Sequence, residues 1–251
     1  MTDTSLKVLT YNIHKGFSAS NWRFILHDIK DAIREINADV VFLQEIHGER
    51  VISKNRFDDW PNNSQLEFLA DQVWPHHAYG KNAIYKAGDH GNAILSKYAF
   101  VEWENIDVSI MKSASRSLLH GTIQITDSNK KIHVICIHLG LFGMERERQL
   151  ATLVKRIDSH VPADEPLIIG GDFNDWRGRA AYHFHHDLGV KEVFKDSCGA
   201  YARTFPAWYP LLSMDRIYYR GLDVVNCSNL FGMPWRRLSD HTPLVAEFEI
   251  V

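Results

Sequence analysis

The chain has 251 residues, of which 45% are hydrophobic, so it can bury the core of one domain of ordinary size. Its formal net charge of -3 excludes a strongly basic nucleic-acid coat protein, although a local basic patch can still attract phosphates. Three cysteines far apart in the sequence predict neither a disulfide framework nor a thiolate zinc site, and they favour a reducing, cytoplasmic location. With no signal-peptide pattern and no apolar run of membrane-spanning length, we expect one monomeric domain over residues 1–251, without an integral membrane segment.

The first half of the chain alternates between apolar runs and amphipathic segments. Residues 6–13 and the continuous apolar run at 40–43 predict two buried strands. Between them, apolar residues at helical spacing predict a helix that Asn21 caps and that extends from Trp22 to Ile36. A second helical segment is predicted over 65–73.

Strands dominate the rest of the chain, interrupted by an amphipathic helix predicted over Gly143–His160. The predicted strands are 91–96, 100–108, 116–125, 131–139, 166–170, 215–219, 221–227 and 243–250. Because strands outnumber helices and the two clear helices lie between strands, two architectures remain open. These are two packed sheets with helices outside, or one mixed sheet.

Polar residues follow several of these apolar runs at their C-terminal ends. Asn12, Glu45, His138 and Asp172 each stand at such a position, so strands that meet at one sheet edge would gather them around one cleft. Glu45 is the strongest single metal ligand, because Mg²⁺ prefers oxygen ligands. The alternative for Glu45 is a solvated side chain paired with Arg50. Asn12 could supply a second oxygen, or merely cap the strand end.

A glycine-rich turn places Asp172 and Asn174 two residues apart. Asp172 is suited to orient or deprotonate an attacking water, and Asn174 to donate to the charge that develops at a phosphate. An ordinary Asx-turn is the alternative for this pair. His138 is a lone histidine on a strand, and such residues are more often core histidines with satisfied hydrogen bonds.

Asp240 and His241 are adjacent near the end of the chain. A buried Asp215 that accepts the other imidazole N–H would set the tautomer of His241 and favour its charged form. Asp240 would then face metal or phosphate. The alternative is a Ser-Asp turn with a surface histidine.

Three more side chains are candidates for contacting the phosphate of a substrate. Arg116 opens a predicted strand, Asn92 stands at the head of another, and Lys15 follows Asn12 closely. The alternatives are a surface ion pair for Arg116 and a solvated side chain for Lys15. Tryptophan with arginine at 176–179 and at 235–237 favours a polyanionic substrate, because such side chains stack on bases and contact phosphates.

Seven motifs together resemble the endonuclease/exonuclease/phosphatase superfamily, and within it the bacterial YbhP-like branch. They are Thr10-Tyr11-Asn12-Ile13, Leu43-Gln44-Glu45, Gly91-Asn92-Ala93-Ile94-Leu95-Ser96, Ile137-His138-Leu139, Gly171-Asp172-Phe173-Asn174, Asp215-Arg216-Ile217-Tyr218 and Ser239-Asp240-His241-Thr242-Pro243. They follow the family's order over nearly the whole chain. The resemblance implies a four-layer α/β sandwich, in which two mixed β-sheets pack face to face with helices outside.

The resemblance also implies a site for Mg²⁺ or Mn²⁺ on Glu45, with Asn12 and Asp240 nearby. It implies in-line attack by water on phosphorus, and it leaves open whether Asp172 or His241 takes the proton. The residues that it places around the scissile phosphate are Asp172, Asn174 and His241, with Asp215 behind His241.

His138 stands where abasic-site endonucleases similar to exonuclease III carry a tyrosine. It resembles instead deoxyribonuclease I, in which this histidine can act as general acid, and also sphingomyelinases and inositol polyphosphate phosphatases. The sequence shows no long loop or hairpin with exposed aromatic residues such as secreted sphingomyelinases use on membranes.

These observations predict a Mg²⁺-dependent phosphodiesterase that hydrolyses DNA as an endonuclease with little sequence preference. The same chemistry on a phospholipid head group or a small phosphoester is the alternative, and an apolar rather than basic cleft mouth would favour it. A non-catalytic binding module that kept the fold is the third hypothesis, although every expected carboxylate and histidine is present.

Overall fold

Twelve strands form two six-stranded sheets in the part of the chain that the computed structural model describes, namely residues 5–19, 23–48, 60–61, 64–85, 88–110, 115–126, 130–179, 184 and 188–250. The first sheet has the order β11-β12-β1-β2-β4-β3. Its strands are β1 (Ser5–Asn12), β2 (Val40–His47), β3 (His76–Tyr85), β4 (Gly88–Ser96), β11 (Asp223–Asn229) and β12 (Leu244–Glu249). Within it, β1 and β2 are parallel and the other neighbours are antiparallel.

The second sheet has the order β5-β6-β7-β8-β10-β9. Its strands are β5 (Phe100–Asp107), β6 (Ser117–Gln124), β7 (Lys131–His138), β8 (Leu167–Asp172), β9 (Lys191–Glu192) and β10 (Asp215–Arg220). Here β7 and β8 are the parallel pair, and the helix α3 (Gly143–His160) connects them. The prediction of this helix is confirmed at both ends.

The shorter helices differ more from the prediction. They are α1 (Leu26–Ile36), α2 (Gln65–Ala70), α4 (Val193–Cys198) and α5 (Trp235–Leu238). Helix α1 begins after Ile25, and the predicted cap Asn21 and the neighbouring Trp22 lie outside the described residues. Helix α2 begins with a capping box between Ser64 and Glu67. The sequence prediction missed β3, β9, α4 and α5.

Three buried clusters hold the layers together, because successive side chains of a strand point to opposite faces of its sheet. The central cluster lies between the sheets and includes Val8, Phe42, Ile94, Val134, Ile168 and Ile217. The outer face of the first sheet packs against α1 and α2 through Leu9, Val41, Leu26, Ile29, Ile33 and Leu66. The outer face of the second sheet packs against α3 through Ile135, Ile169, Leu150, Leu153 and Ile157. The four-layer sandwich is therefore confirmed.

The two sheets approach each other closely at Gly170 on β8. A Cβ atom there would lie 2.6 Å from the ring of Phe42 on β2, so only glycine fits without a shift. This contact fixes the distance between β2 and β8 directly beneath their C-terminal ends. No helix among the described residues is long and apolar enough to cross a bilayer.

Candidate active site

The strand register brings the predicted polar residues to one edge of the sandwich. In the first sheet, Asn12 at the end of β1 pairs with Gln44 on β2, one residue before Glu45. In the second sheet, Asp172 lies between His138 on β7 and Asp215 on β10, as a Cα partner of both. The expectation that these strand ends meet at one edge is therefore confirmed.

Glu45 occupies a β-bulge rather than a loop. The pairing of β2 with β4 shifts between Leu43 and Ile46, and Glu45 has a left-handed φ of 57°. Bulges commonly re-aim a side chain, and a left-handed backbone at a residue other than glycine is strained, a feature that concentrates at functional sites. Its alternative partner, Arg50, lies outside the described residues.

The Glu45 side chain is half-buried, and its Oε2 atom is shielded from solvent. Its Oε2 atom has no hydrogen-bond partner among the described residues and lies 3.7 Å from Nζ of Lys15. Burial alone would raise the pKa of Glu45, but His138 in its protonated form, Lys15 and His14 lower that pKa to about 2. A buried carboxylate oxygen without a donor is a position that a hard cation fits.

Asp172 connects the two halves of the site. Its Oδ2 atom accepts a hydrogen bond of 3.1 Å from Nδ2 of Asn12 and lies 3.6 Å from Nε2 of His138 and 3.8 Å from Nε2 of His241. Its Oδ1 atom accepts the backbone N–H of Asn174 at 2.9 Å. Asp172 therefore forms an Asx-type turn through Oδ1 and contacts the other site residues through Oδ2.

His241 lies between two carboxyl groups. Its Nδ1 atom is 2.7 Å from Oδ2 of Asp215. Burial alone would lower the pKa of His241, but the charges of Asp215 and Asp172 raise it to about 10. Burial raises the pKa of Asp172 above its usual range; the positive charge of His241 opposes this change and the negative charge of Asp215 reinforces it. The site thus contains a cationic imidazole beside a carboxyl group of raised basicity.

His138 has the opposite electrostatic character. Burial, reinforced by the positive charge of Arg116, lowers the pKa of His138 to about 3. Its imidazole is therefore neutral at physiological pH and offers an N–H or a lone pair, but no positive charge. The general-acid role implied by deoxyribonuclease I requires a protonation that this environment opposes.

The remaining predicted residues lie around this centre. Nε of Arg116 donates to the carbonyl oxygen of Leu139 at 3.3 Å, directly after His138. Nδ2 of Asn92 donates to the carbonyl oxygen of Ser117 at 3.0 Å, while its buried Oδ1 has no partner among the described residues. Nδ2 of Asn174 donates to the Leu139 carbonyl at 2.9 Å, so one of its two hydrogens is already engaged.

Two contributors were not among the predicted site residues. His14 contacts Asp240, with 3.2 Å between its Nδ1 and the carboxylate Oδ1. Ser239 Oγ donates to the carbonyl oxygen of Asn12 at 2.7 Å and accepts the backbone N–H of His241 at 3.2 Å. Ser239 thereby ties the C-terminal motif to β1, and its position just before the Asp-His pair was the available signal.

One part of the predicted basic and aromatic surface is wrong. Trp235 is buried and packs edge-on against Tyr11, with 5.6 Å between the ring centroids, so it is not available for stacking on bases. Trp176 is exposed, and the guanidinium of Arg146 lies 5.6 Å from its ring centroid. Of the two predicted segments, the one at 176–179 presents an exposed tryptophan with arginines.

Two sets of side chains could hold a metal ion. The predicted set of Glu45, Asp240 and Asn12 offers only oxygen ligands, and the unpartnered Oε2 of Glu45 fits a hard cation. The second set is Asp172, Asp215 and His241, whose ligand atoms all lie within 4.8 Å of one another. In that set, the imidazole already contacts the Asp215 carboxylate, which favours a proton-transfer role.

Comparison with known proteins places this geometry in a family. The profile of the Endonuclease/Exonuclease/phosphatase family matches residues 9–241. The protein named "Uncharacterized protein YbhP" from Escherichia coli K12 is 45% identical over 246 residues, which cover 98% of this chain and 97% of that protein.

Solved structures share the fold at lower identity. An endonuclease/exonuclease/phosphatase from Beutenbergia cavernae superposes with a TM-score of 0.80 at 21% identity, covering 98% of this chain and 72% of that one. TDP2 from D. rerio, solved in complex with a single-strand DNA product, has a TM-score of 0.72 at 19% identity, covering 98% and 100%. The chain belongs to the endonuclease/exonuclease/phosphatase family of metal-dependent hydrolases.

Proposed function

We propose that the protein is a Mg²⁺- or Mn²⁺-dependent phosphodiesterase. The observation that carries the proposal is the continuous contact from Asn12 through Asp172 and His241 to Asp215, together with the solvent-shielded Oε2 of the half-buried Glu45. Glu45, with Asp240 and Asn12, would hold the cation, which when bound stabilises the charge that develops on the phosphoryl oxygens.

The protein's own groups divide the proton transfers between them. Asp172, whose pKa is raised, is basic enough to accept a proton from an attacking water. His241 is already protonated and cannot serve as that base, so it stabilises negative charge on the phosphate and gives its proton to the departing oxygen as the P–O bond breaks. Asp215 keeps the imidazole charged and oriented, and the neutral His138 is positioned to hydrogen-bond the phosphate.

DNA is the substrate that the sequence favours, and a cytoplasmic location goes with it as a prediction. Exposed Trp176 with Arg177 and Arg179 directly after the Asp172 turn supports a nucleic-acid substrate. The single-strand DNA product bound to the TDP2 structure adds support at the level of the fold. A phospholipid head group is the second candidate, favoured by exposed apolar residues around the site.

A nicking assay on supercoiled plasmid tests the DNA proposal, and bis(p-nitrophenyl) phosphate tests phosphodiester hydrolysis without regard to substrate class. Nicked plasmid with Mg²⁺ or Mn²⁺, absent with EDTA or in Glu45→Ala, is the expected result. The exposed Glu102→Ala on the edge strand β5 is the matched control and should retain full activity. Intact plasmid under every metal refutes the DNA proposal, and an intact small diester refutes the hydrolase itself.

A further inference from the structure

Exposed apolar side chains surround the candidate site, contrary to the expectation from the sequence. Six of them have exposed fractions from 43% to 78%. We call them the apolar rim: Leu141, Phe142, Met144, Trp176, Trp208 and Tyr209. Single exposed apolar residues are ordinary on protein surfaces, but a group of this size around one site marks an interaction surface.

The topology shows why the apolar rim lies at the catalytic edge. Residues 141–144 follow the end of β7 after His138, and Trp176 follows the end of β8 after Asp172. Trp208 and Tyr209 precede the start of β10 at Asp215. Since β10 runs antiparallel to β8, all three segments leave the second sheet at the edge that carries the site.

A hydrogen bond and a cation–π contact attach two of these segments to each other. Arg146 donates through Nη1 to the carbonyl oxygen of Leu141 at 2.6 Å, while its guanidinium lies 5.6 Å from the ring centroid of Trp176. Asn174 donates to the carbonyl oxygen of Leu139 at 2.9 Å. Residues 139–146 and 174–176 therefore form one connected side of the site.

The third segment is attached beside His241. The backbone N–H of Ala207 donates to the carbonyl oxygen of Asp240 at 2.7 Å, and the ring centroids of Phe205 and His241 are 5.0 Å apart. The adjacent Trp208 and Tyr209 rings lie 6.1 Å apart and are exposed. The apolar rim thus flanks the Asp172–His241 pair on two sides.

The charge of the same segments differs in sign from that of the whole chain. The chain has a net charge of -3, whereas segments 141–148, 176–179 and 203–211 carry five arginines against one exposed glutamate, Glu147, since Glu145 is buried. The arginines are Arg146, Arg148, Arg177, Arg179 and Arg203. An apolar rim flanked by arginines is suited to bind a partner whose surface is negatively charged and whose interior is apolar.

A nucleic acid and an anionic lipid bilayer both supply negative charge, but they differ in what they offer the apolar residues. Tryptophan and tyrosine can stack on bases or insert at a bilayer interface. Leu141 and Met144 are aliphatic, and a duplex or single strand offers them no apolar phase. A bilayer offers them an apolar phase, together with anionic head groups for the arginines.

We propose that the apolar rim docks on an anionic lipid bilayer and presents a lipid phosphodiester to the site. The substrate part of this proposal rests on the proposed phosphodiesterase function, whereas the docking part does not. The bound orientation would place the strand ends of the second sheet toward the membrane, with Asp172 and His241 facing the head groups.

Co-sedimentation with vesicles tests the docking in EDTA, so that no turnover is needed. Wild-type protein should sediment with vesicles of equal parts phosphatidylglycerol and phosphatidylcholine, and much less with phosphatidylcholine alone. The combined variant Leu141→Ser, Phe142→Ser, Met144→Ser should lose at least about tenfold in affinity. The matched control Trp103→Ser, Val225→Ser removes equally exposed apolar residues from β5 and β11 and should bind as wild type does.

A second readout separates loss of docking from loss of folding. The triple variant should hydrolyse soluble bis(p-nitrophenyl) phosphate at the wild-type rate while it releases head groups from the mixed vesicles at least about tenfold more slowly. Trp208→Ser, Tyr209→Ser gives an independent test of the other side of the site, with the same expected pattern.

The outcomes distinguish the two proposals. A wild-type protein that hydrolyses the soluble diester but stays out of the vesicle pellet overturns the docking and leaves the hydrolase standing. A protein that sediments with the vesicles but hydrolyses no diester supports the docking and refutes the hydrolase. Binding of plasmid DNA rather than vesicles, lost in the triple variant, assigns the apolar rim to nucleic acid and overturns the lipid assignment.

Discussion

Nδ1 of His241 lies 2.7 Å from Oδ2 of Asp215, although 26 positions separate the two residues in the chain. The pair is buried, and its other neighbour is Asp172, 3.8 Å from Nε2 of the same imidazole. This arrangement makes the charge of His241 depend on Asp215. Asp215 is therefore the residue through which the protonation of the site can be changed without removing a group that faces the phosphate.

Replacing Asp215 with asparagine should lower the pKa of His241 from about 10 toward its ordinary value of 6.5, because the largest charge that favours the imidazolium is removed. The rate on bis(p-nitrophenyl) phosphate should fall by about 10²- to 10⁴-fold, the usual contribution of such a group. The pKa is measured by NMR titration of the imidazole. The exposed Asp223→Asn is the control, and an unchanged His241 titration would contradict the assignment.

Replacing Glu45 with glutamine should weaken binding of Mn²⁺ by at least about tenfold, because the change removes the negative charge but keeps the size of the side chain. Titration calorimetry measures the affinity without any substrate. The exposed Glu147→Gln provides the control for the loss of one negative charge. Equal Mn²⁺ affinity in the Glu45 variant and wild type would move the metal site to the Asp172, Asp215 and His241 group.

Gly170 should tolerate no side chain. In Gly170→Ala the new Cβ would meet the Phe42 ring at 2.6 Å between the sheets, and overpacking of this kind costs about 1–3 kcal/mol in the free energy of unfolding. Gly143→Ala, at the first residue of α3, meets nothing within 4 Å and should be neutral or stabilising by up to about 1 kcal/mol. Urea denaturation compares the two, and equal stabilities would refute the close contact.

A buried hydrogen-bonded chain through two histidines, which we call the histidine relay, lies outside the site and should make the free energy of unfolding depend on pH. Nε of Arg156 donates to Nδ1 of His120 at 3.1 Å, Nε2 of His120 lies 2.9 Å from Nδ1 of His133, and Nε2 of His133 lies 2.6 Å from Oε2 of Glu165. His120 must stay neutral to accept the Arg156 hydrogen. Burial, with the charges of His133 and Arg156, lowers its pKa to about 3.

The unfolded chain binds a proton at His120 below about pH 6.5, whereas the folded chain resists it down to about pH 3. Stability should therefore be fully present above pH 6.5 and fall as the pH decreases toward 3, by an amount on the order of a few kcal/mol. His120→Gln should remove most of this slope in urea denaturation across that window. The exposed His77→Gln should keep the wild-type slope, and an identical slope in the His120 variant would contradict the relay.

Local patterns predicted the long elements because each contains its own signal. The α3 helix has a full amphipathic period over Gly143–His160, and the apolar runs beneath Glu45 and Asp172 mark buried strands. Strand β3 was missed because His76–Tyr85 has no continuous apolar run, and its pairing with β4 comes from tertiary contact. The short helices α4 and α5 are too brief for periodicity to identify them.

The sequence by itself determined the family, the order of the motifs and the chemical types of the site residues, because side-chain chemistry and strand-end position are local properties. Tertiary structure alone decided which groups share a proton or a charge. Asn12 meets Asp172 across 160 positions, and the left-handed backbone of Glu45 follows from how β2 pairs with β4. The tertiary structure also decided that Trp235 is buried and Trp208 exposed. Burial depends on which surfaces the sheets and helices cover, and a local sequence pattern does not specify those surfaces.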